Sequence, residues 1–175
     1  MFELHTARLK LVPLTTAQLR LYFDDHQHLA AEMGATVVVQ DTPIIRRAID
    51  MKLAKMALAP SSRHRWYTYW LIVVVEQSCG VGLAGFKGYP NEHGETEIGY
   101  SIDPDWQNKG YMTEAVCALV DWAFQHDVCL TVTATGVLKS NLASQRVLTK
   151  TGFEICGQTD EALQWRINKN SYPAG

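Results

Sequence analysis

The sequence lacks both a surplus of basic residues and a long apolar run. Its 16 Lys and Arg residues stand against 18 Asp and Glu residues, giving a formal net charge of −2. A nucleic-acid partner requires a clustered basic face, and the densest local set, Arg63 to Arg65, is too short to form one. The longest apolar run, Trp70 to Val75, is far shorter than the roughly 20 residues that cross a bilayer. We therefore expect neither a nucleic-acid partner nor a membrane partner.

Cysteines are few and irregularly spaced. They lie at Cys79, Cys117, Cys129 and Cys156, and no C-x-x-C pair occurs. This spacing argues against a disulfide framework and against a zinc site, so we expect reduced core thiols and no metal. The N-terminus also lacks the basic-then-apolar pattern of a secretion signal. A cytoplasmic location is the expectation that follows.

Linkers, internal repeats and low-complexity stretches are also missing. Hydrophobic residues make up 47% of the chain and charged residues 19%, which is typical of a globular protein. We predict one domain over residues 1–170, followed by a frayed tail over residues 171–175.

Hydrophobic periodicity predicts an α+β fold. In the first half, a strand at 8–13 precedes a helix from Thr15 or Thr16 to His28, and Thr42-Pro43 opens a longer helix that ends near residue 60. In the second half, strands are predicted at 70–75, 81–87, 96–102, 130–137, 153–156 and 163–167, with a turn at 78–80. Two helices follow Gly110 and Asn141, and Gly152 closes the second. Strand–helix–strand alternation after a meander predicts a mixed sheet with helices on its faces.

The most informative segment is the loop that precedes the first of these two helices, from Gln107 to Glu114. A glycine turn at a helix N-terminus directs free backbone N–H groups and the positive end of the helix dipole at one point, which suits a phosphate group. Gly110 would let the backbone approach the anion closely. The segment matches neither the P-loop nor the dinucleotide fingerprint. From glycine placement alone, a simple loop–helix junction is the favoured interpretation.

Three segments of the chain resemble known motifs. The run from Glu97 to Ala115 resembles the coenzyme-A motif of the GNAT superfamily of N-acetyltransferases. The run from Asn141 to Phe153 resembles that family's later N-x-x-S-x-x-V-L-x-K-x-G-F segment. The opening run, Thr6 to Leu14, resembles the T-x-R-L-x-L-x-P-L start of the RimJ/RimL-like branch, which contains the ribosomal-protein alanine and serine N-acetyltransferases. Residues 17–65 carry no recognisable pattern.

This resemblance implies a splayed mixed sheet that holds acetyl-CoA where two parallel strands part, with no metal involved. The chain departs from the family pattern at Met112, where the family has a small residue. Backbone groups of the 97–102 strand would pair with the pantetheine arm, the loop amides would hold the pyrophosphate, and Asn141 would bond the pantetheine or cap its own helix. The implied cofactor-binding residues are Tyr100, Ile102, Gln107, Asn108, Lys109, Gly110, Tyr111, Met112, Thr113, Asn141 and Ser144.

Acetyl transfer to an amine requires a proton acceptor and benefits from a proton donor to the departing thiolate. Glu97 is the candidate base, with a solvated or ion-paired strand carboxylate as an equally weighted alternative. Ser144 is the candidate donor, with a helix-packing serine as its alternative. Many relatives use a tyrosine four residues later, where this chain has Leu148. His64, Tyr67, Tyr69 and Trp70 are more readily explained as loop and core residues than as an acceptor pocket.

The sequence leaves the acceptor open. It is a protein N-terminal amine, or a small amine such as a polyamine, an amino acid or an antibiotic. A coenzyme-A-binding sensor without turnover is the alternative from another functional class. We expect a monomer or a homodimer.

Overall fold

The computed structural model describes residues 2–172 and has one nine-stranded sheet with helices on both faces. The strands are β1 Leu4–His5, β2 Leu9–Pro13, β3 Thr36–Val37, β4 Trp70–Val74, β5 Cys79–Phe86, β6 Glu95–Ile102, β7 Thr131–Leu138, β8 Glu154–Gln158 and β9 Ala162–Asn168. The α-helices are α1 Thr16–Asp24, α2 His26–Met33, α3 Pro43–Leu58, α4 His64–Tyr67, α5 Tyr111–Phe124 and α6 Leu142–Lys150. The strand order is β1-β2-β4-β5-β6-β7-β9-β8, with β3 beside β5. The predicted α+β fold with a mixed sheet is confirmed.

Two hydrophobic layers cover the two faces of the sheet. Alternate residues of β4 divide between them: Ile72 packs with α5 in one layer, and Leu71 packs with α1, α2 and α3 in the other. Every residue of β4 and β5 is buried, as expected for strands covered on both sides. The sheet therefore has an α5/α6 face and an α1–α3 face.

The sheet opens between β6 and β7. These two strands run parallel, and their pairing extends only from Glu95–Thr131 to Glu97–Thr133. Beyond Glu97 the strands part, and β7 has an irregularity between Ala134 and Val137. The opening leaves a stretch of β6 without a neighbouring strand on one side.

Two predictions about local structure are wrong. The helix predicted through His28 is two helices, because the backbone at Asp25 leaves the helical region (φ −155°, ψ 75°) and the Asp25 carboxylate accepts the His28 N–H to begin α2. The turn predicted at 78–80 lies at 75–78, since Cys79 and Gly80 already belong to β5.

The cysteines and the chain end add two observations. Cys79 and Cys129 are buried and Cys117 is half-buried, but Cys156 is exposed on the edge strand β8, which corrects the prediction of four core thiols. Near the chain end, Ser171 ends a 3₁₀ helix, and the Tyr172 ring packs against Phe124. Residues 173–175 of that tail lie outside the described residues.

Within residues 2–172, no helix is long and apolar enough to cross a membrane. The same residues contain no group of three His, Cys, Asp or Glu side chains arranged to hold a metal ion.

Candidate functional site

A cleft of about 350 Å³ lies where β6 and β7 part. Its walls come from the second half of β6, the loop before α5, the first turn of α5 and the exposed side of α6. The lining residues are Tyr100, Ser101, Ile102, Trp106, Gln107, Asn108, Gly110, Tyr111, Met112, Thr113, Asn141, Ala143, Ser144, Arg146, Val147 and Lys150.

The loop before α5 presents free backbone donors to this cleft. Asn108 (φ 60°) and Gly110 (φ 82°) are both in the left-handed region, which turns the chain sharply into α5. The first hydrogen bond of the helix runs from Glu114 N–H to Gly110 O (3.1 Å), and Gly110 provides no capping side chain. The N–H groups of Tyr111, Met112 and Thr113 therefore have no acceptor within the helix. Such a nest of amides binds an anion.

Charged side chains at the cleft favour the same class of ligand. Arg146 and Lys150 line it from α6, four residues apart and hence on one side of that helix. The described lining residues include no Asp or Glu. Two cations, the helix dipole and free amides together match a ligand that carries several negative charges.

The start of the chain fixes the position of this loop. Arg8 donates from Nε to Glu114 Oε2 (2.8 Å) and from Nη1 to Lys109 O (3.0 Å), and its guanidinium lies 4.7 Å from the Tyr111 ring centroid. The backbone N–H of Arg8 and the Thr6 hydroxyl donate to the other Glu114 oxygen (2.9 and 2.6 Å). Burial alone would raise the pKa of Glu114, but these hydrogen bonds outweigh it and lower the pKa. The opening Thr-x-Arg motif thus holds both ends of the amide nest.

The open side of β6 offers unpaired backbone groups. On the β5 side, Lys87 N–H bonds Glu97 O and Asp103 N–H bonds Val81 O, so the odd-numbered residues of β6 face β5. The Ile98 C=O, both backbone groups of Tyr100 and the Ile102 N–H consequently point toward the opening without a strand partner. The Glu97–Thr133 pair still engages the Ile98 N–H, and Ile102 O accepts from Gln107 Nε2 (3.4 Å). A linear ligand with amide groups can hydrogen-bond there as an additional strand would.

Glu97 lies at the point where the two strands separate. Its Oε1 atom accepts from Lys87 Nζ (2.5 Å), from Thr135 Oγ1 (2.6 Å) and from Thr135 N–H (3.2 Å). The carboxylate therefore satisfies an amide of β7 that has left the β6 ladder. All three of these hydrogen bonds end on Oε1, which leaves Oε2 available as a proton acceptor. The ion-paired alternative and the role of base are compatible in this geometry.

Asn141 and Ser144 form the α6 side of the cleft. The Asn141 side chain accepts the Ser144 N–H (3.1 Å), so it caps α6 as the sequence indicated. Tyr100 donates from its hydroxyl to Ser144 O (3.3 Å), and burial raises the pKa of Tyr100 to about 12. Tyr100 therefore keeps its proton at neutral pH and adds a second hydroxyl beside that of Ser144.

The structure brings ten of the eleven predicted cofactor-binding residues to this cleft; their roles stay predictions. Lys109 is the one that does not line it: its ammonium lies over the Trp106 ring (4.7 Å from the centroid), and its carbonyl accepts from Arg8. Met112 lines the cleft and is also 6% exposed in the core, so the larger side chain fits. Trp70, which the sequence analysis interpreted as a core residue and not as part of an acceptor pocket, is fully buried.

Sequence reasoning missed Trp106, Arg146 and Lys150 as cleft residues. The spacing of Arg146 and Lys150 on a helix whose opposite side is apolar was a usable signal for the last two.

These residues fit acetyl-CoA. The nest at α5 matches its pyrophosphate, Arg146 and Lys150 add positive charge, and the unpaired groups of β6 match the amides of its pantetheine arm. The donor set therefore suits both the phosphate groups and the amides of this molecule.

Comparison with known proteins leads to the same family. Residues 8–154 match the family model described as the acetyltransferase (GNAT) domain. The uncharacterized N-acetyltransferase YjdG of Bacillus subtilis (strain 168) is 32% identical over 108 residues, which are 62% of this chain and 64% of that protein. The probable N-acetyltransferase YjcK of the same organism is 50% identical over 56 residues, 32% of this chain and 30% of that protein. The matches thus span less than two thirds of these relatives.

Among solved structures, the ribosomal-protein-S5-alanine acetyltransferase of Vibrio fischeri aligns with a TM-score of 0.68 over 99% of this chain and 100% of its own, at 16% identity. At that identity the likeness concerns the fold. Because the family model covers most of the chain and the cleft carries that family's motifs, this protein belongs to the GNAT acetyltransferase family.

Proposed function

We propose that this protein transfers the acetyl group of acetyl-CoA directly to a primary amine. One observation carries the proposal: the amide nest before α5 and the unpaired side of β6 meet in a single cleft, and the strands that open to form it part at Glu97. Acetyl-CoA supplies the activated acyl group as a thioester. The protein would bind it at both ends of the cleft, which fixes the thioester near the point where the strands part.

Glu97 is the proposed base. Lys87 and Thr135 hold Oε1, which orients the carboxylate, while Oε2 can take a proton from the amine directly or through water. Ser144 is the proposed donor to the thiolate, since its hydroxyl lies on the cleft wall. Tyr100 lies on the same wall, but its hydroxyl already donates to Ser144 O and its raised pKa makes it a weaker proton donor.

The acceptor we favour is a protein N-terminal amine. The cations near Glu97 argue against a polyamine: Lys87 contacts Glu97 directly, and Lys55 donates to Lys87 O (2.7 Å). A polycationic amine would be repelled there. The relatives offer both precedents, since the solved neighbours include the alanine acetyltransferase above and a Vibrio cholerae spermidine N-acetyltransferase chimera (15% identity, TM-score 0.66, 95% and 98% of the two chains).

The decisive experiment follows thiol release from acetyl-CoA over a panel of peptides with free N-termini, polyamines and amino acids. We expect release with peptides and little with spermidine. Glu97→Gln should reduce kcat at neutral pH by about 100-fold or more, the scale of general base catalysis, with coenzyme-A affinity nearly unchanged. If no acceptor causes thiol release while coenzyme-A binding is normal, the sensor alternative is favoured.

The cytoplasmic location and the expectation of a monomer or homodimer remain predictions.

A further inference from the structure

Gly99 is a strand glycine that its own surroundings do not explain. In β5, an added Cβ would lie 3.0 Å from Leu71 at Gly80, 2.5 Å from Ser101 O at Gly82 and 2.5 Å from Thr68 O at Gly85, so close packing requires those glycines. At Gly99, an added Cβ would have no described atom within 4 Å apart from its chain neighbours. Its φ is also outside the positive range, so an L side chain is conformationally allowed.

A glycine inside a strand weakens the strand, and where packing does not require it, it often marks the close approach of a ligand. Gly99 lies in the second half of β6, between Glu97 and the part of β6 that lines the cleft. Glu97 and Gly99 share one face of the strand and are about 7 Å apart along it. This is the α1–α3 face, because Gly99 pairs with Gly85 and the neighbouring pair is Ser101–Leu83, whose leucine packs with α1–α3.

The space above Gly99 has one rigid border. Thr68 O closes the neighbouring position over Gly85, and that carbonyl accepts from Lys52 Nζ (3.2 Å). The Thr68 hydroxyl donates to Leu14 O (2.6 Å), which fixes the same segment to β2. On its other side, Gly99 has no pairing partner from β7, because the pairing of β6 with β7 ends at Glu97.

We propose that the gap above Gly99 is the passage through which the acceptor amine reaches the thioester. This inference rests on the proposed function. The α5/α6 face of the opening is lined by Tyr100, Met112 and Ser144, which belong to the coenzyme-A cleft. The acceptor must therefore arrive from the other face, where Glu97 can take its proton.

The passage has a consequence for the kind of amine it admits. The nitrogen of a protein N-terminus is attached to a branched carbon, except when the first residue is glycine. The missing Cβ at position 99 leaves room for that branch. An added methyl group would exclude branched amines more strongly than amines on a CH₂ carbon.

The test compares Gly99→Ala with the wild type on two peptides that differ only in their first residue, alanine or glycine. We expect kcat/KM to fall about tenfold or more for the alanine peptide, the scale of one misplaced methyl group, and by less than about threefold for the glycine peptide. Coenzyme-A affinity and melting temperature should match the wild type, since the new Cβ meets no protein atom.

Equal kcat/KM values of variant and wild type on both peptides would overturn the passage, and so would a loss of coenzyme-A affinity, which would place position 99 in the cosubstrate site. An equal loss on both peptides would overturn the selection for branched amines. A wild type that acetylates neither these peptides nor any other amine contradicts the proposed function itself. Wild-type activity that Gly99→Ala leaves unaltered contradicts only the passage.

Discussion

Removing the Arg8 side chain should weaken coenzyme-A binding although Arg8 is not among the cleft residues. Arg8 connects Glu114 in the first turn of α5 with Lys109 O in the loop, so it holds the amide nest in its binding conformation. Hydrogen bonds to charged groups contribute about 1.5–3 kcal/mol when buried. The side chains of Arg8 and Glu114 are 48% and 18% exposed, so solvent screening reduces this to about 1 kcal/mol.

If most of that energy serves to order the loop, Arg8→Ala should raise the coenzyme-A dissociation constant by about fivefold. The dissociation constant of Arg8→Lys should lie between those of Arg8→Ala and the wild type, because lysine keeps the charge but loses the forked geometry. Isothermal titration calorimetry with coenzyme A measures the effect, and denaturant unfolding measures the accompanying loss of stability.

Arg46→Ala is the matched control. Arg46 makes a similar two-atom ion pair with Asp41 near the start of α3, and neither residue lines the cleft. Its removal should leave coenzyme-A affinity unchanged. A dissociation constant for Arg8→Ala within error of the wild type would refute the idea that the opening motif organises the nest.

Further predictions concern the nest, the donor and a buried amine. Gly110→Ala should weaken coenzyme-A binding by straining the turn, whereas Gly34→Ala, equally left-handed (φ 60°) but distant from the cleft, should reduce only stability. Ser144→Ala should lower kcat more than it alters coenzyme-A affinity in the same titrations; an unchanged kcat removes Ser144 as donor. Burial, with Lys55 and Lys87 nearby, lowers the pKa of Lys52 to about 7. Between about pH 7 and about pH 10.4, Lys52 is protonated in the unfolded chain but largely neutral in the folded protein. The free energy of unfolding therefore contains a contribution from Lys52 that increases with pH, by at most about 1.4 kcal/mol per pH unit. Urea titrations at several pH values should show this contribution lost in Lys52→Met; equal slopes would contradict it.

Features set by near neighbours in the sequence were predictable. The Asn141 cap and the glycine turn at Gly110 follow local rules about which side chains and backbone angles begin a helix. The strand positions followed from alternation and β-branched content, with errors of one or two residues. The break at Asp25 was missed because the apolar pattern continues across this residue. The only local signal for the break is that Asp25 can cap a new helix.

Contacts between distant segments were not predictable. Nothing in the local sequence joins Arg8 to Glu114, which lie 106 positions apart. The partner of Glu97 was equally hidden, since Thr135 reaches it only because β7 departs from regular pairing after Ala134. Such contacts depend on the register and curvature of the assembled sheet, which cannot be predicted from the local pattern of a single sequence.

The short pairing of β6 with β7 means that this sheet is incomplete without its ligand. The two halves share only the pairs from Glu95 to Glu97, and the amides of Tyr100 and Ile102 have no strand partner in the opening. In the proposed complex the pantetheine arm would take the place of an inserted strand, and its release would reopen the seam. Hydrogen exchange at the Tyr100 and Ile102 amides should therefore be fast in the free protein and slow in the proposed complex, so that exchange at this seam would report its occupancy.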